Sequence, residues 1–361
     1  MEKTPIRIPS LDGLRTISIV LVVFGHLLHV LGVGHFGNFG NLGVRIFFII
    51  SGFLITGILL GEIEKTSTVN LLKFYFRRTL RIFPPYYFYL LVILATVLLG
   101  FISIPLKSLF FASIYATDYI NPFDWYLGHT WSLAVEEQFY LIFPGILLLL
   151  GLRNTKFFLL FLVTVNPLIR LVDYQFFGTD PIWVVKGFHA NMDALAIGCL
   201  LALFYSRLHQ NNFYLKLLES KVFIFFPAII IIFNFQSEHP RLFLGVGFSI
   251  MNLLIALCID WSVTNYKTAF GRFLNSSPMV TLGMMSYSVY LWQQPFFNPE
   301  NSGILTRLPF NFIALALMTI FSYYFIEKYS LKARQNLENK LFGEKPASEK
   351  AQLLSEKVQA S

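Results

Sequence analysis

The feature that most limits what this chain can become is a succession of apolar runs, each about as long as a bilayer is thick, separated by short polar gaps. A hydrocarbon core of ~30 Å takes about 20 helical residues to cross. No water is present there, so every backbone N–H and C=O must find a partner within the protein. Only helices and closed barrels achieve this. The runs are too long and too continuous for the alternating pattern of barrel strands. The chain is therefore predicted to be all-α and polytopic. Composition agrees, with 55% of the 361 residues hydrophobic and 13% charged, against about 25% charged in soluble domains.

Ten spans are expected, at residues 14–33, 42–61, 82–101, 131–150, 157–174, 187–205, 222–235, 242–261, 279–297 and 310–326. Residues 107–126 are only half apolar and carry Asp118 and Asp124, which reads as an interfacial or re-entrant piece. The basic N-terminus followed by an apolar stretch from Thr16 mimics a signal peptide. No small-residue cleavage site follows, so it is read as a retained first span. Cytoplasmic loops carry excess Lys and Arg. With the N-terminus inside, 22 of the 28 basic residues, Lys3 and Arg7 among them, fall on the cytoplasmic side. The other side holds Arg45, Lys107, Arg170, Lys186, Arg241 and Arg307. Both termini are thus expected in the cytoplasm, as an even number of spans requires.

Residues 1–327 are expected to form one membrane domain, and 328–361 a polar cytoplasmic tail with a short surface helix followed by disorder. The net charge of +8 follows from this topology and from anionic inner-leaflet lipids. A nucleic-acid partner would need a basic soluble domain, and none is visible. Cys199 and Cys258 lie inside apolar runs, without disulfide or metal spacing, and read as small core residues. No metal site is expected.

Ionisable residues inside a span are costly, so each is a functional candidate. Arg15 and His26 are eleven residues apart on the first span, which places them on one helix face about 16 Å apart along the axis. His29 follows on nearly the same face. The plainer reading of His26 is a hydrogen bond to a neighbouring helix. Arg77, Arg78 and Arg81 precede Pro84-Pro85 at the start of the third span. They suit phosphate binding through bidentate bonds, or else a lipid-headgroup anchor. The proline pair is expected to distort the start of that span and free backbone groups. Glu136 enters the fourth span about 9 Å deep, where a carboxylate needs a partner such as His26 or an arginine, or a proton. A structural ion pair is the plainer alternative. Asp193 also sits in an apolar run, and Ser51-Gly52 reads as a packing site.

In order along the chain stand Leu11-Asp12-Gly13-Leu14-Arg15 with ten residues before His26, then Gly43-Val44-Arg45-Ile46-Phe47-Phe48-Ile49-Ile50-Ser51-Gly52-Phe53-Leu54. Next come Arg78-x-x-Arg81 followed by proline, and Trp131-Ser132-Leu133 with Glu136, Phe139 and Tyr140. The last two are Asp193-Ala194-Leu195 with Gly198, and Ser286-Tyr287-Ser288-Val289-Tyr290-Leu291-Trp292. In these motifs the chain resembles the acyltransferase family 3 membrane proteins, bacterial O-acyltransferases among them. The resemblance covers roughly residues 9–327. It departs from the family pattern at Asn191, where an arginine is frequent, and at Gln293, where a histidine is frequent.

The resemblance implies transfer of an acyl group, usually acetyl, from a cytoplasmic acyl-coenzyme A to a sugar hydroxyl on a lipid-linked or surface glycan. It implies a multi-pass protein of the bacterial plasma membrane that acts in O-acetylation of cell-envelope polysaccharide. Some relatives carry an extra soluble domain after the membrane part; this chain is expected to rely on a partner for any such site. In the mechanism so implied, Arg78, Arg81 and Arg15 hold the donor phosphates. His26 acts as general base, and Glu136 orients its imidazole. An acyl-His26 intermediate is equally compatible with these residues. The competing class is a transporter or flippase of a lipid-linked glycan, which shares spans and a basic inner face. No inverted internal repeat is present to support it.

Overall fold

The computed structural model describes residues 8–33, 38–120, 124–178, 183–235, 240–301 and 303–343. Lys3 and Arg7, and residues 344–361 of the expected disordered tail, lie outside them. Eleven helices carry the argument: Pro9–Val30 (α1), Asn38–Thr66 (α2), Leu71–Leu98 (α3), Leu106–Ser113 (α4), Thr130–Phe177 (α5), Phe188–Leu208 (α6), Phe226–Asn234 (α7), Phe248–Thr264 (α8), Ser277–Phe296 (α9), Phe310–Phe321 (α10) and Lys328–Phe342 (α11). No strand occurs among the described residues.

Seven helical runs are long and apolar enough to cross a membrane. The protein is an all-helical, multi-pass membrane protein. Those seven runs contain eight of the ten expected spans, because Trp125–Phe177 holds two. Gly151 divides α5 with φ of 68° and ψ of 170°, a conformation that glycine adopts without steric cost. The other two expected spans fall short. Residues 279–297 lie on α9, which is 20 residues long but rich in Ser, Tyr and Gln. Residues 222–235 lie on the short apolar run Lys221–Asn234.

The third span begins earlier than expected. Asn70 caps α3 by accepting the Lys73 N–H at 3.0 Å, so Arg77, Arg78 and Arg81 stand on the helix itself, and Pro84-Pro85 lie inside it. Just past the prolines' freed carbonyls, Tyr287 donates to the Ile82 carbonyl at 3.0 Å. The described part of residues 107–126 holds α4, a 3-10 turn Thr117–Tyr119 and the start of a short helix Trp125–Gly128. Tyr86 and Tyr87 pin α4 to α3 by donating to the carbonyls of Ala112 at 2.8 Å and Ser113 at 2.9 Å. Buried Asp118 accepts from Gln138 Nε2 and the Phe188 N–H, each at 3.0 Å.

Helices α1, α2, α5, α6 and α9 make the central bundle, with α2 against α6 the most intimate pair. Lipid is as apolar as the helices, so close van der Waals packing through small residues drives their association. Gly52 and Gly198 meet reciprocally at this crossing. A Cβ on Gly52 would overlap the Leu195 carbonyl, and one on Gly198 the Ile49 carbonyl. Gly283 likewise lets α9 close on α1 at Asp12.

Beside this crossing lies an ion pair without solvent exposure. Arg170 on α5 bonds Asp193 on α6 at 2.9 Å, and both side chains are 0% exposed. Arg170 also donates to Leu244 O at 2.6 Å, Ala190 O at 3.0 Å and Ser249 Oγ at 2.9 Å. This arginine comes from another helix than the one frequent in the family, whose place Asn191 occupies. Asn191 donates to the carbonyls of Val185 at 2.9 Å and Gly187 at 3.0 Å. Asp193 is thereby a structural residue that ties α5, α6 and α8 together.

Removing one member of a buried pair leaves the other uncompensated, at a cost of about 3–5 kcal/mol. Asp193→Ala is therefore expected to lower stability by that amount in denaturant titration of the detergent-solubilised protein. Gly198→Ala is expected to cost about 1–3 kcal/mol by overpacking. Gly57→Ala, where nothing lies within 4 Å of the added Cβ, should be neutral. Equal midpoints for the two glycine variants would refute the close-crossing account.

Candidate active site

One cavity of about 100 Å³ opens among α1, α2, α3, α5 and α9, at the Arg15 end of the bundle. Arg15, Arg78 and Arg81 line it together with Glu136, Glu137 and Glu327. Four of the five sequence candidates thus share one site: Arg15, Arg78, Arg81 and Glu136. The periodicity of α3 explains the pairing of Arg78 with Arg81, since residues three apart share a helix face.

The cations are held loosely. Arg15 Nη1 lies 3.7 Å from Asp12 Oδ1, and the Arg78 guanidinium sits 4.1 Å over the Tyr140 ring. No hydrogen bond of Arg81 occurs among the described residues, and its side chain is exposed. The carboxylates are held more firmly. Glu136 accepts from Ser51 Oγ at 2.9 Å and from Tyr140 OH at 3.1 Å. Glu327 accepts from Ser288 Oγ at 2.9 Å. It stands at the end of a π-helical turn, Ser322–Glu327, between α10 and α11. Such turns insert an extra residue and re-aim side chains, frequently at functional sites.

His26 does not line this cavity. It lies three turns along α1, outside that cavity and among polar and aromatic side chains. Its Nδ1 is 2.6 Å from Gln293 Oε1, and its ring stands edge-on to Trp125 with centroids 5.8 Å apart. His29 stacks on the same indole at 5.5 Å. Trp125 is fixed by donating to Gln294 O at 2.8 Å. The short helix Trp125–Gly128 that leads into α5 therefore covers His26. The expected pairing of His26 with Glu136 is absent among the described residues. The physical reason is height: Glu136 faces the arginines, whereas Gln293 on α9 lies level with the imidazole. Nδ1–H donates a hydrogen bond to the Gln293 amide oxygen, so the Nδ1–H tautomer is favoured and Nε2 keeps its lone pair.

Ser132 and Tyr290, both lining the cavity, bring their hydroxyls 2.5 Å apart. Tyr290 also donates to His129 O at 2.8 Å. His129 Nε2 donates to Leu291 O at 3.1 Å, which leaves its buried Nδ1 without a partner among the described residues. Gln293 Nε2 and Trp292 Nε1 are buried and unpartnered in the same region. A concentration of orphaned polar atoms beside an imidazole is what a ligand or ordered water would satisfy.

Sequence reasoning misses Glu327 and the role of Gln293, places Tyr140 and Tyr290 in motifs without a role, and reads Ser51 as packing alone. A signal exists for Glu327, a lone carboxylate directly after the apolar run ending at Ile326. Gln293 is visible only as a departure from a family pattern. Its partnership with His26 depends on the α1–α9 contact, which spans 267 residues of sequence. Among the described residues no cluster of His, Cys, Asp or Glu has the arrangement of a metal site.

Comparison with known proteins gives the family. The O-acetyltransferase OatA of Staphylococcus aureus strain NCTC 8325 / PS 47 is 30% identical over 350 residues, covering 90% of this chain and 57% of the relative. OatA of strain COL matches to the same extent. The chain thus spans little more than half the length of these curated relatives. No solved structure matches it significantly. The family described as an acyltransferase domain matches residues 8–327, every residue that lines the cavity included, and the chain belongs to this family, acyltransferase 3.

Proposed function

We propose that this chain transfers an acetyl group from cytoplasmic acetyl-coenzyme A to a hydroxyl of a lipid-linked or cell-surface saccharide, within the plasma membrane of a bacterium. The observation that carries the reading is the convergence of Arg15, Arg78 and Arg81 from two helices on one cavity. Guanidiniums with no firm carboxylate partner are suited to phosphate. The name of the relatives, O-acetyltransferase, supports an acetyl group and an oxygen acceptor.

In this reading the chain crosses the membrane ten times, with α9 and the run Lys221–Asn234 completing the set, and both ends face the cytoplasm. The excess of Lys and Arg on that side supports the orientation. The donor enters at the arginine cavity and its uncharged pantetheine arm rises along α1. From Arg15 to His26 it must climb about 16 Å, past the Ser132–Tyr290 pair. The acceptor approaches from the opposite face, where Trp125 covers His26.

At the junction His26 Nε2 takes the proton of the acceptor hydroxyl while that oxygen attacks the thioester carbonyl. The C–S bond then breaks, and the imidazolium returns its proton to the departing thiolate. Gln293, at Nδ1, takes the orienting role that sequence reasoning gives to Glu136. Glu136 is a positioning residue in this scheme. Held by Ser51 and Tyr140, it keeps a counter-charge opposite Arg78 and Arg15 until the donor phosphates arrive.

Loss of a charged hydrogen bond is worth about 1.5–3 kcal/mol, so Arg78→Ala should weaken acetyl-coenzyme A binding about 10–100-fold in nanodiscs. His26→Ala should leave that affinity intact and slow thioester cleavage with acceptor present by about 10²–10⁴-fold. Wild-type protein that neither binds nor cleaves acetyl-coenzyme A would overturn the donor assignment. Full turnover in His26→Ala would return His26 to a structural role. Gln293→Leu, which removes the orienting oxygen, should lower turnover without changing donor affinity. A change in affinity alone would contradict its assigned position.

A further inference from the structure

The charges inside the cavity balance: Arg15, Arg78 and Arg81 face Glu136, Glu137 and Glu327. The charges just outside it do not. Helix α11 folds back along the first half of α3 and is anchored there by the Phe76–Phe342 ring contact at 5.6 Å. Glu338 of α11 pairs with Arg77 and lies 3.8 Å from Lys73. Arg334 sits one turn before Glu338, within electrostatic reach of Arg77 and Arg78. Three cations of this seam, Lys73, Arg77 and Arg334, therefore share Glu338 among the described residues, with Arg78 next to them at the edge of the cavity. Moreover, Arg334 Nε is buried and has no acceptor among them. A buried donor on a cation calls for an anion, water or ion to complete it.

We propose that Arg334 binds the 3′-phosphate at the nucleotide end of the acyl-coenzyme A, together with Arg77 and Arg78. This rests on the donor reading given above and extends its binding site from the cavity to the α3–α11 seam. The donor's own charge distribution supports the placement. Its pantetheine arm is uncharged and suits the balanced cavity, whereas its nucleotide end carries a phosphomonoester and a diphosphate. Arg78 lies at the boundary, lining the cavity and following Arg77 of the seam directly along α3, so a single extended molecule passes from one region to the other. A guanidinium fork suits a terminal phosphate dianion, with two parallel N–H···O bonds. Glu338 holds Arg77 and Lys73 in place while no phosphate is present. A lipid headgroup offers similar phosphate chemistry from the bilayer side, and the test separates the two.

The experiment measures binding of coenzyme A and of dephospho-coenzyme A, which lacks only the 3′-phosphate, to the full chain in phosphatidylcholine nanodiscs. Wild type is expected to prefer coenzyme A by about 10–100-fold. Arg334→Ala should lose most of that preference while its affinity for dephospho-coenzyme A is little changed, a result that also reports an intact fold. Arg334→Lys should recover part of the preference, because the ammonium keeps the charge without the fork. If Arg334→Ala keeps the wild-type preference, the inference is overturned and the donor reading stands. If that variant instead loses retention of phosphatidylglycerol and keeps the preference, the seam belongs to lipid headgroups, which also overturns it. If wild type binds neither form, the donor reading itself falls and this inference falls with it.

Discussion

The structure depends on the crossing of α2 and α6 at Gly52 and Gly198. In a bilayer no hydrophobic force pushes helices together, so backbone proximity has to come from side chains that are missing. At this crossing each glycine faces the other helix's carbonyl groups. The residue next to Gly52 is Ser51, whose hydroxyl reaches Glu136 on α5. The residues one turn before Gly198 lead to Asp193, which takes Arg170 from the same α5. Two polar links thus converge on α5 from one tight crossing. A wider separation of α2 and α6 would pull both out of hydrogen-bonding range.

Charge is then distributed by depth. The Arg170–Asp193 pair is fully enclosed and rich in hydrogen bonds, which is the condition under which a charge pair is tolerated in low dielectric. The cavity arginines are less completely paired and border accessible space. Around His26, amide and indole groups take the place of a carboxylate partner. These three settings differ in what they can do. The first holds helices together, the second gathers cations and carboxylates around accessible space, and the third sets an imidazole among uncharged partners.

Much of the candidate site is legible in the sequence. The eleven-residue spacing of Arg15 and His26 on one helix, and the three-residue spacing of Arg78 and Arg81, follow from helical geometry alone. An arginine near Glu136 is expected too, because few partners exist for a charge in such a chain. The partner of His26 is not legible. Depth along α1 is readable, but the relative height of α5 and α9 is not, and that height places Gln293, rather than Glu136, beside the ring. Glu327 escapes notice because a carboxylate after an apolar run reads as the start of a polar tail. The π-helical turn that aims it inward carries no sequence signature. The span expected from Ile82 begins too late because a proline pair reads as distorting a span's start, whereas Asn70 caps the helix well before it and the prolines lie inside.

The sequence by itself determined the helical class, the membrane as solvent, most of the span positions and the ionisable residues that needed an explanation. These follow from local quantities: run length, periodicity and the cost of charge in hydrocarbon. Only the tertiary structure decided which of those residues meet. It separated His26 from Glu136, matched Asp193 with Arg170 across helices, and laid α11 along α3 so that Glu338 pairs with Arg77. The physical reason is that helix rotation and vertical offset are set by close packing at a few small residues. Sliding one helix past another by a single turn, about 5.4 Å, leaves every local pattern intact while exchanging all of its partners.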